Sequence, residues 1–340
     1  MKAVIYHETG DVDVLKYEDV PDPEAGANEV LVRVGASSLN HLDLRLRSGK
    51  SPRPVELPHV GGVDIAGEVE EVGTEVESVS RGMRVVVNPT VKTVSPKTGH
   101  VVLALNRVIG VNMWGGFAEY VKVPAENVVE IPDGLSYEAA STLPVCFVTA
   151  WHGLFGRGEL GAGETALVHA AGSGTGSAAI QVAKLAGARV IATAGSDEKL
   201  EKARELGADE TINYNSGDVL DGVRDATQKA GVDVIFDPIG GSMFETNVQC
   251  LAPGGRLLLV GVVGGGTTPA NLGPLIMREI CVFGVTVFSA GNPELATVAR
   301  EMARGRLTPV IDRVLPLSEA RKAQGLLSDR KQFGKVVLTP

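Results

Sequence analysis

The stretch VHAAGSGTGSAAIQVAKLAGARVIATAGSDEK, residues 168–199, decides the fold. It begins at the end of ETALVHA, a short apolar run that reads as a buried strand. Gly172, Gly174 and Gly176 follow, with Ser173 and Thr175 between them. Glycine allows a tight turn and a close approach of the backbone to a ligand. A helical run comes next, and then a second strand, ARVIATAG. The helix N-terminus would offer free N–H groups and the positive end of its dipole to a pyrophosphate. A glycine loop by itself is a common turn, and its place between strand and helix gives this one meaning. Residues 172–176 are therefore candidate cofactor contacts.

The end of the second strand bears on which dinucleotide binds. An acid there would hold the ribose 2′-hydroxyl of NAD. This strand ends ATAGS, with Ala194 and Gly195 where the acid is expected. Ser196 and Lys199 follow, and a hydroxyl and a cation suit a 2′-phosphate. The expectation is NADPH, with NADH second. Plainer roles exist: Ser196 as a helix cap, Lys199 as a solvated charge, Asp197 as a displaced ribose acid.

Downstream, SDEKLEKARELG reads as a charged helix closed by Gly207, and DETINY, VDVIFDPIG and GRLLLVGVV as further strands. Strand–helix alternation of this kind predicts an α/β fold with a doubly wound parallel sheet. Upstream the texture differs. AVIYH, VLVRVGASSL and DIAGEVEEVG read as short strands between turns such as VPDPEAGANE and ELPHVGG, without a long amphipathic helix. At roughly 150 residues per domain, 340 residues suggest two domains. The change near Pro132 divides them.

The formal net charge is −9 and no basic block stands out, which argues against nucleic-acid or membrane-surface partners. The start MKAVIYHETG lacks an apolar signal core, and no apolar run approaches the roughly 18 residues of a span. A soluble cytoplasmic protein is expected. Cys146, Cys250 and Cys281 lie far apart, with neither a CxxC pair nor a disulfide framework.

The chain resembles the medium-chain dehydrogenase/reductase superfamily over essentially its whole length. The resemblance rests on NHLDLRLRSG, GGVDIAGEVEEVG, GGFAEYVKVP, LPVCFVTAWHGL, the glycine loop, ARELGADETINY, LAPGGRLLLVG and FGKVVL. It implies a GroES-like strand-rich catalytic domain (1–132 and 291–340) around a Rossmann domain (133–290). It also implies that Asn40 lies near the nicotinamide and the substrate carbonyl, with Tyr214 beside the 2′-phosphate and Lys199. Thr149, Gly261, Val262, Phe288, Ser289 and Lys335 match further cofactor-contacting segments.

Zinc members of that superfamily hold their catalytic metal with a Cys, a His and a second Cys or an acid. The matching positions here are Asn40, Val63 and Val145, with Cys146 one residue off. In HVGGVDIAG, residues 59–67, Asp64 keeps the acid that follows the missing histidine. Such a set falls short of the three protein ligands a catalytic zinc usually needs. The segment that carries four structural cysteines in the zinc enzymes contains none here, and Val101, Val102, Leu103 and Leu105 are expected to pack it. No metal is expected.

Without a Lewis acid, a quinone or enone is an easier hydride acceptor than a simple ketone. Charge can spread to an oxygen that hydrogen-bond donors stabilise. Asn40, His41, Asp43 and Trp114 are the candidate catalytic residues: Asn40 and His41 as donors, Asp43 as a loop anchor, Trp114 as a pocket wall. Arg47 is expected to pair with an acid, with Asp64 one possibility, and His59 and His100 to be polar loop residues. The readings kept open are a metal-free carbonyl or imine reductase and a non-catalytic cofactor-binding protein. The partners expected are a small-molecule substrate and a second copy, or three, of this chain, joined through the apolar strands RLLLVGVV and CVFGVTVF.

Overall fold

The computed structural model describes residues 1–51, 55–93 and 107–340. His100 and the apolar residues Val101, Val102, Leu103 and Leu105 lie outside the described residues. The chain forms two units. The first comprises Met1–Val145, Phe288–Gly305 and Ile311–Pro340, and the second Cys146–Val287 and Arg306–Val310.

The second unit carries a six-stranded sheet, parallel throughout. Its order is Glu210–Asn213, Arg189–Ala194, Thr165–Val168, Val232–Asp237, Leu251–Leu259, Cys281–Gly284. The first strand in sequence is therefore central, and the chain changes direction between Thr165–Val168 and Val232–Asp237. Open parallel sheets bind ligands at the carboxyl ends of their strands, at that switch point. Ala166, Leu167 and Val168 have no solvent exposure, which explains why ETALVHA reads as a continuous apolar run. The helix Asp197–Glu205 forms where its charges predict. Ser196 caps it by accepting from Lys199 N–H, acids fill its first turn, and Gly207 follows its end at φ 107°.

The first unit is built on a seven-stranded sheet around Glu29–Ser38, which pairs antiparallel with Asp64–Val72, Tyr120–Pro124 and Lys335–Thr339. The C-terminal strand thus returns beside the N-terminal ones. Val30, Val32 and Val34, at every second position of the strand, lie in one buried cluster and give this sheet its packed face.

One local expectation changes and two gain detail. His59 is not a loop residue. It sits in the short strand His59–Val60, paired with Tyr6, and is 2% exposed. Its ring packs edge-on to Tyr6 and its Nε2 lies 3.2 Å from the Gly110 carbonyl oxygen. A short helix, His41–Arg47, stands in the strand-rich half, started by Asp43, whose carboxylate accepts from Asn40 N–H at 2.7 Å. The helix expected over SYEAASTLPVCFVTAWHGL is widened by π-turns at Leu143–Phe147 and His152–Arg157. Pro144 lies in the first of these and has no N–H for a regular turn. Among the described residues, no helix is long and apolar enough to cross a membrane.

Candidate functional site

In the second unit, the residues expected to hold a dinucleotide converge at the carboxyl ends of the strands. Ala170 turns out of the central strand at φ 54°, a left-handed conformation uncommon outside glycine. Ser173 then caps the twelve-residue helix Gly174–Leu185 by accepting from Gly176 N–H at 2.9 Å. A Cβ on Gly176 would stand 2.2 Å from the Ala170 carbonyl oxygen, so only glycine lets helix and strand end approach this closely. Thr149, nearly buried, belongs to the segment Val148–Trp151, which packs against this helix.

The neighbouring strand end carries no ribose-binding acid: Ala194 and Gly195 stand there. Ala194 is buried, and a Cβ on Gly195 would lie 2.8 Å from the Tyr214 hydroxyl oxygen. Tyr214 is exposed beside it. Lys199 lays its stem across Gly172, where an added Cβ would meet Lys199 Cδ at 2.7 Å. Asp197 is turned aside and accepts from Asn213 Nδ2 at 2.7 Å. The structure therefore brings together Gly172, Ser196, Lys199 and Tyr214. Together with the helix N-terminus, this cradle fits a dinucleotide's phosphates.

Gly261 and Val262 follow the strand Leu251–Leu259. Their loop lies backbone on backbone against Pro238–Gly241: Gly264 N–H donates to the Ile239 carbonyl at 2.7 Å and Gly241 N–H to Gly265 at 2.9 Å. A Cβ on Gly261 would meet the Pro238 carbonyl oxygen at 2.6 Å.

In the first unit, Asn40, His41, Asp43 and Lys335 come together, joined by Asp64. The Lys335 ammonium is buried and donates to the Leu39 carbonyl at 2.6 Å, to Asn40 Oδ1 at 2.7 Å and to Asp64 Oδ2 at 3.0 Å. Asn40 Nδ2 and the Ser38 hydroxyl also donate to Asp64 Oδ2, at 2.9 and 2.8 Å. Asp64 Oδ1 accepts from Val145 N–H at 2.9 Å. Asp64 thus pairs with Lys335 and not with Arg47, which forms no ion pair among the described residues. Asp43 is buried and accepts from the N–H groups of Asn40 and Gly62. Burial pushes its carboxyl up to about 7, against those two hydrogen bonds and the Lys335 charge. Burial, and then the charges of Arg330 and Lys335, hold His41 below the ordinary imidazole value, so it is neutral at pH 7.

The other candidates stand apart. Trp114 is 37% exposed, donates its indole N–H to the Pro58 carbonyl at 3.1 Å, and lines a cleft of about 180 Å³ with Met1, Pro23, Val60 and Met113. None of Asn40, His41 and Asp43 borders that cleft. Phe288 packs beside Leu46, Val63 and Val108, and Ser289 ends the same short turn.

The side chains at the zinc-ligand positions do not fit a zinc ion. Val63 and Val145 carry no ligating atom, and Asn40 Oδ1 faces an ammonium group. Among the described residues, no three of His, Cys, Asp and Glu gather as a metal site. Sequence reasoning listed Lys335 and Asp64 separately and missed their pairing, because 271 residues separate them.

Known proteins agree with this architecture. Residues 26–133 match the alcohol dehydrogenase GroES-like domain and residues 174–304 the zinc-binding dehydrogenase family. A quinone oxidoreductase of Pseudomonas aeruginosa is 35% identical, covering 100% of this chain and 99% of that protein. The crystal structure of an NAD-dependent alcohol dehydrogenase matches at a TM-score of 0.92 and 39% identity, over 100% of both chains. A mycobacterial protein solved with NADPH matches at 0.86 and 29% identity, again over 100% of both. Fold and site define a GroES-like unit joined in one chain to a Rossmann unit. The chain belongs to the medium-chain dehydrogenase/reductase superfamily, among its quinone oxidoreductase-like members.

Proposed function

We propose that this oxidoreductase transfers hydride from NADPH to a quinone or an enone-type double bond without zinc. The observation that carries this reading is the replacement of the zinc-ligand set by Asn40, Val63 and Val145, with Lys335 rather than a metal facing Asn40 and Asp64. NADPH rather than NADH is supported by the strand end at Gly195, where Tyr214 stands in the place of an acid and Ser196 and Lys199 lie beside it. The relatives differ in cofactor: one neighbour is named NAD-dependent and another was solved with NADPH.

The bound nicotinamide supplies the hydride. The protein's own task is to orient the acceptor and stabilise the negative charge that builds on its oxygen. We assign that task to His41 on the Asn40–Asp43 turn, since Asn40 Nδ2 is directed to Asp64 Oδ2 at 2.9 Å and to the Ser38 carbonyl at 3.5 Å and so fixes the turn. The Asn40 amide is held rigid by Lys335 and Asp64, and the neutral His41 ring offers an N–H. Asp43 fixes the turn and is not an acid in the reaction. Solvent protonates the product. In this reading Gly172–Gly176, Ser196, Lys199 and Tyr214 hold the phosphates, and Thr149, Gly261, Val262, Phe288 and Ser289 complete the cofactor contacts, while Lys335, expected among them, spends its three N–H groups on Leu39, Asn40 and Asp64 and acts through Asn40. The enzyme works as a cytoplasmic homodimer on a small-molecule substrate.

A panel of quinones, enones, aldehydes and imines, with NADPH and NADH in parallel, tests this. Oxidation of NADPH by quinones or enones is expected. The second reading, a carbonyl or alcohol oxidoreductase, is favoured by the 39% identical alcohol dehydrogenase. Turnover of aldehydes but not of enones or quinones would establish it instead. About one zinc per chain in the purified protein would overturn the metal-free part.

A further inference from the structure

A buried line of polar side chains runs beneath the cofactor loops of the second unit. His169 directly follows the central strand Thr165–Val168, ahead of the glycine loop, and has no solvent exposure. Its Nδ1 lies 3.0 Å from the Thr193 hydroxyl, two residues before Gly195. Its Nε2 lies 2.7 Å from Asn247 Oδ1. Asn247, also fully buried, donates through Nδ2 to Asp237 Oδ2 at 2.9 Å. Asp237 accepts in addition from the N–H groups of Ile239 and Gly240, at 2.6 and 3.1 Å. These begin the loop against which Gly261 and Val262 rest.

The direction of every bond follows from Asp237. A carboxylate accepts, so Asn247 must turn Nδ2 to it and Oδ1 to His169. His169 must then carry its proton on Nε2, which leaves Nδ1 to accept from the Thr193 hydroxyl. Burial holds His169 below the ordinary imidazole value, in keeping with a neutral ring. The line ties together the pyrophosphate loop through His169, the adenosine-side strand end through Thr193 and the nicotinamide-side loop through Asp237.

We propose that Thr193, His169, Asn247 and Asp237 form a positioning relay that sets the nicotinamide-side loop relative to the adenosine-side loops. None of the four is assigned a contact with the cofactor. The inference rests on the dinucleotide reading above. Loss of the Asn247 amide would free the Pro238–Gly241 turn and its neighbour Gly261 while the glycine loop and Ser196 stay in place.

The test compares the full-length wild type with Asn247→Leu and His169→Gln. Each is titrated with NADPH and NADH, and with the matching adenosine fragment, adenosine 2′,5′-bisphosphate or AMP. Asn247→Leu is expected to raise Kd and KM for the whole dinucleotide about tenfold or more, the scale of a buried donor left unpaired. Its affinity for the fragment should stay within about twofold, since the fragment uses only the adenosine-side loops. His169→Gln keeps an N–H for Asn247 Oδ1 and should recover to within about threefold of wild type. Should Asn247→Leu fail to fold, Thr193→Val removes only the terminal bond. It should weaken the dinucleotide a few-fold with kcat unchanged. Unaltered dinucleotide binding in Asn247→Leu overturns the relay. So does a parallel loss of dinucleotide and fragment that tracks a lowered Tm, which marks a purely structural network. A wild type that binds neither dinucleotide overturns the cofactor reading itself, and the relay with it.

Discussion

Asp43 and Lys335 show how single buried charges shape this chain. Asp43 binds its proton more tightly in the folded protein than in the unfolded chain, because burial raises its carboxyl to about 7. Its contribution to stability is therefore complete below the ordinary carboxylate value and is lost as pH rises through about 7. Urea unfolding should show wild type losing on the order of 2 kcal/mol more than Asp43→Asn between pH 5 and pH 8. Lys335 is 4% exposed and Asp64 is fully buried, so removing one strands the other. Lys335→Met is expected to cost roughly 3–5 kcal/mol in the same unfolding experiment. Lys335→Met, Asp64→Leu together should recover part of that loss, because a buried ion pair is weaker evidence for stability than its disruption suggests.

Among the elements, the strand–loop–helix at 165–185 was legible at once. Glycine spacing, an apolar strand and a following helix are local features, and local sequence encodes them. Gly176 has the least freedom, since its missing Cβ faces the Ala170 carbonyl oxygen at 2.2 Å. Gly176→Ala should force helix and strand end apart. The expected result is a loss of dinucleotide affinity of about tenfold or more with a lower Tm, read by fluorescence titration and thermal melts. Less legible were the short elements. The helix His41–Arg47 has only seven residues, too few for a periodic pattern, and its Asn40-x-x-Asp43 start was its one signal. His59 reads as polar in HVGG, yet pairing with Tyr6 buries it.

At the scale of the whole molecule, the edge strand Cys281–Gly284 leaves one side of the parallel sheet unpaired among the described residues. Val282 on it and Leu272, Ile276 and Met277 on the preceding helix are exposed, Met277 at 82%. An apolar edge of this kind invites pairing with another chain. The proposed homodimer predicts that Val282→Pro with Ile276→Asp yields a monomer in analytical ultracentrifugation, where wild type sediments as a dimer or larger. A monomeric wild type would refute it.

The sequence by itself determined the strand–helix alternation of the second unit and its glycine turn, because each depends on neighbours within a few dozen residues. It also placed Asn40, Val63 and Val145 at the positions that the resemblance matches to zinc ligands, since that is a matter of residue identity. The tertiary structure alone decided what stands in their place. Lys335, Asn40 and Asp64 meet only when the last strand pairs with Glu29–Ser38. Likewise, His169 and Asp237 join through Asn247 only when parallel strands set their carboxyl ends side by side. Charges buried in common find one another across the fold, and no spacing along the chain announces the meeting.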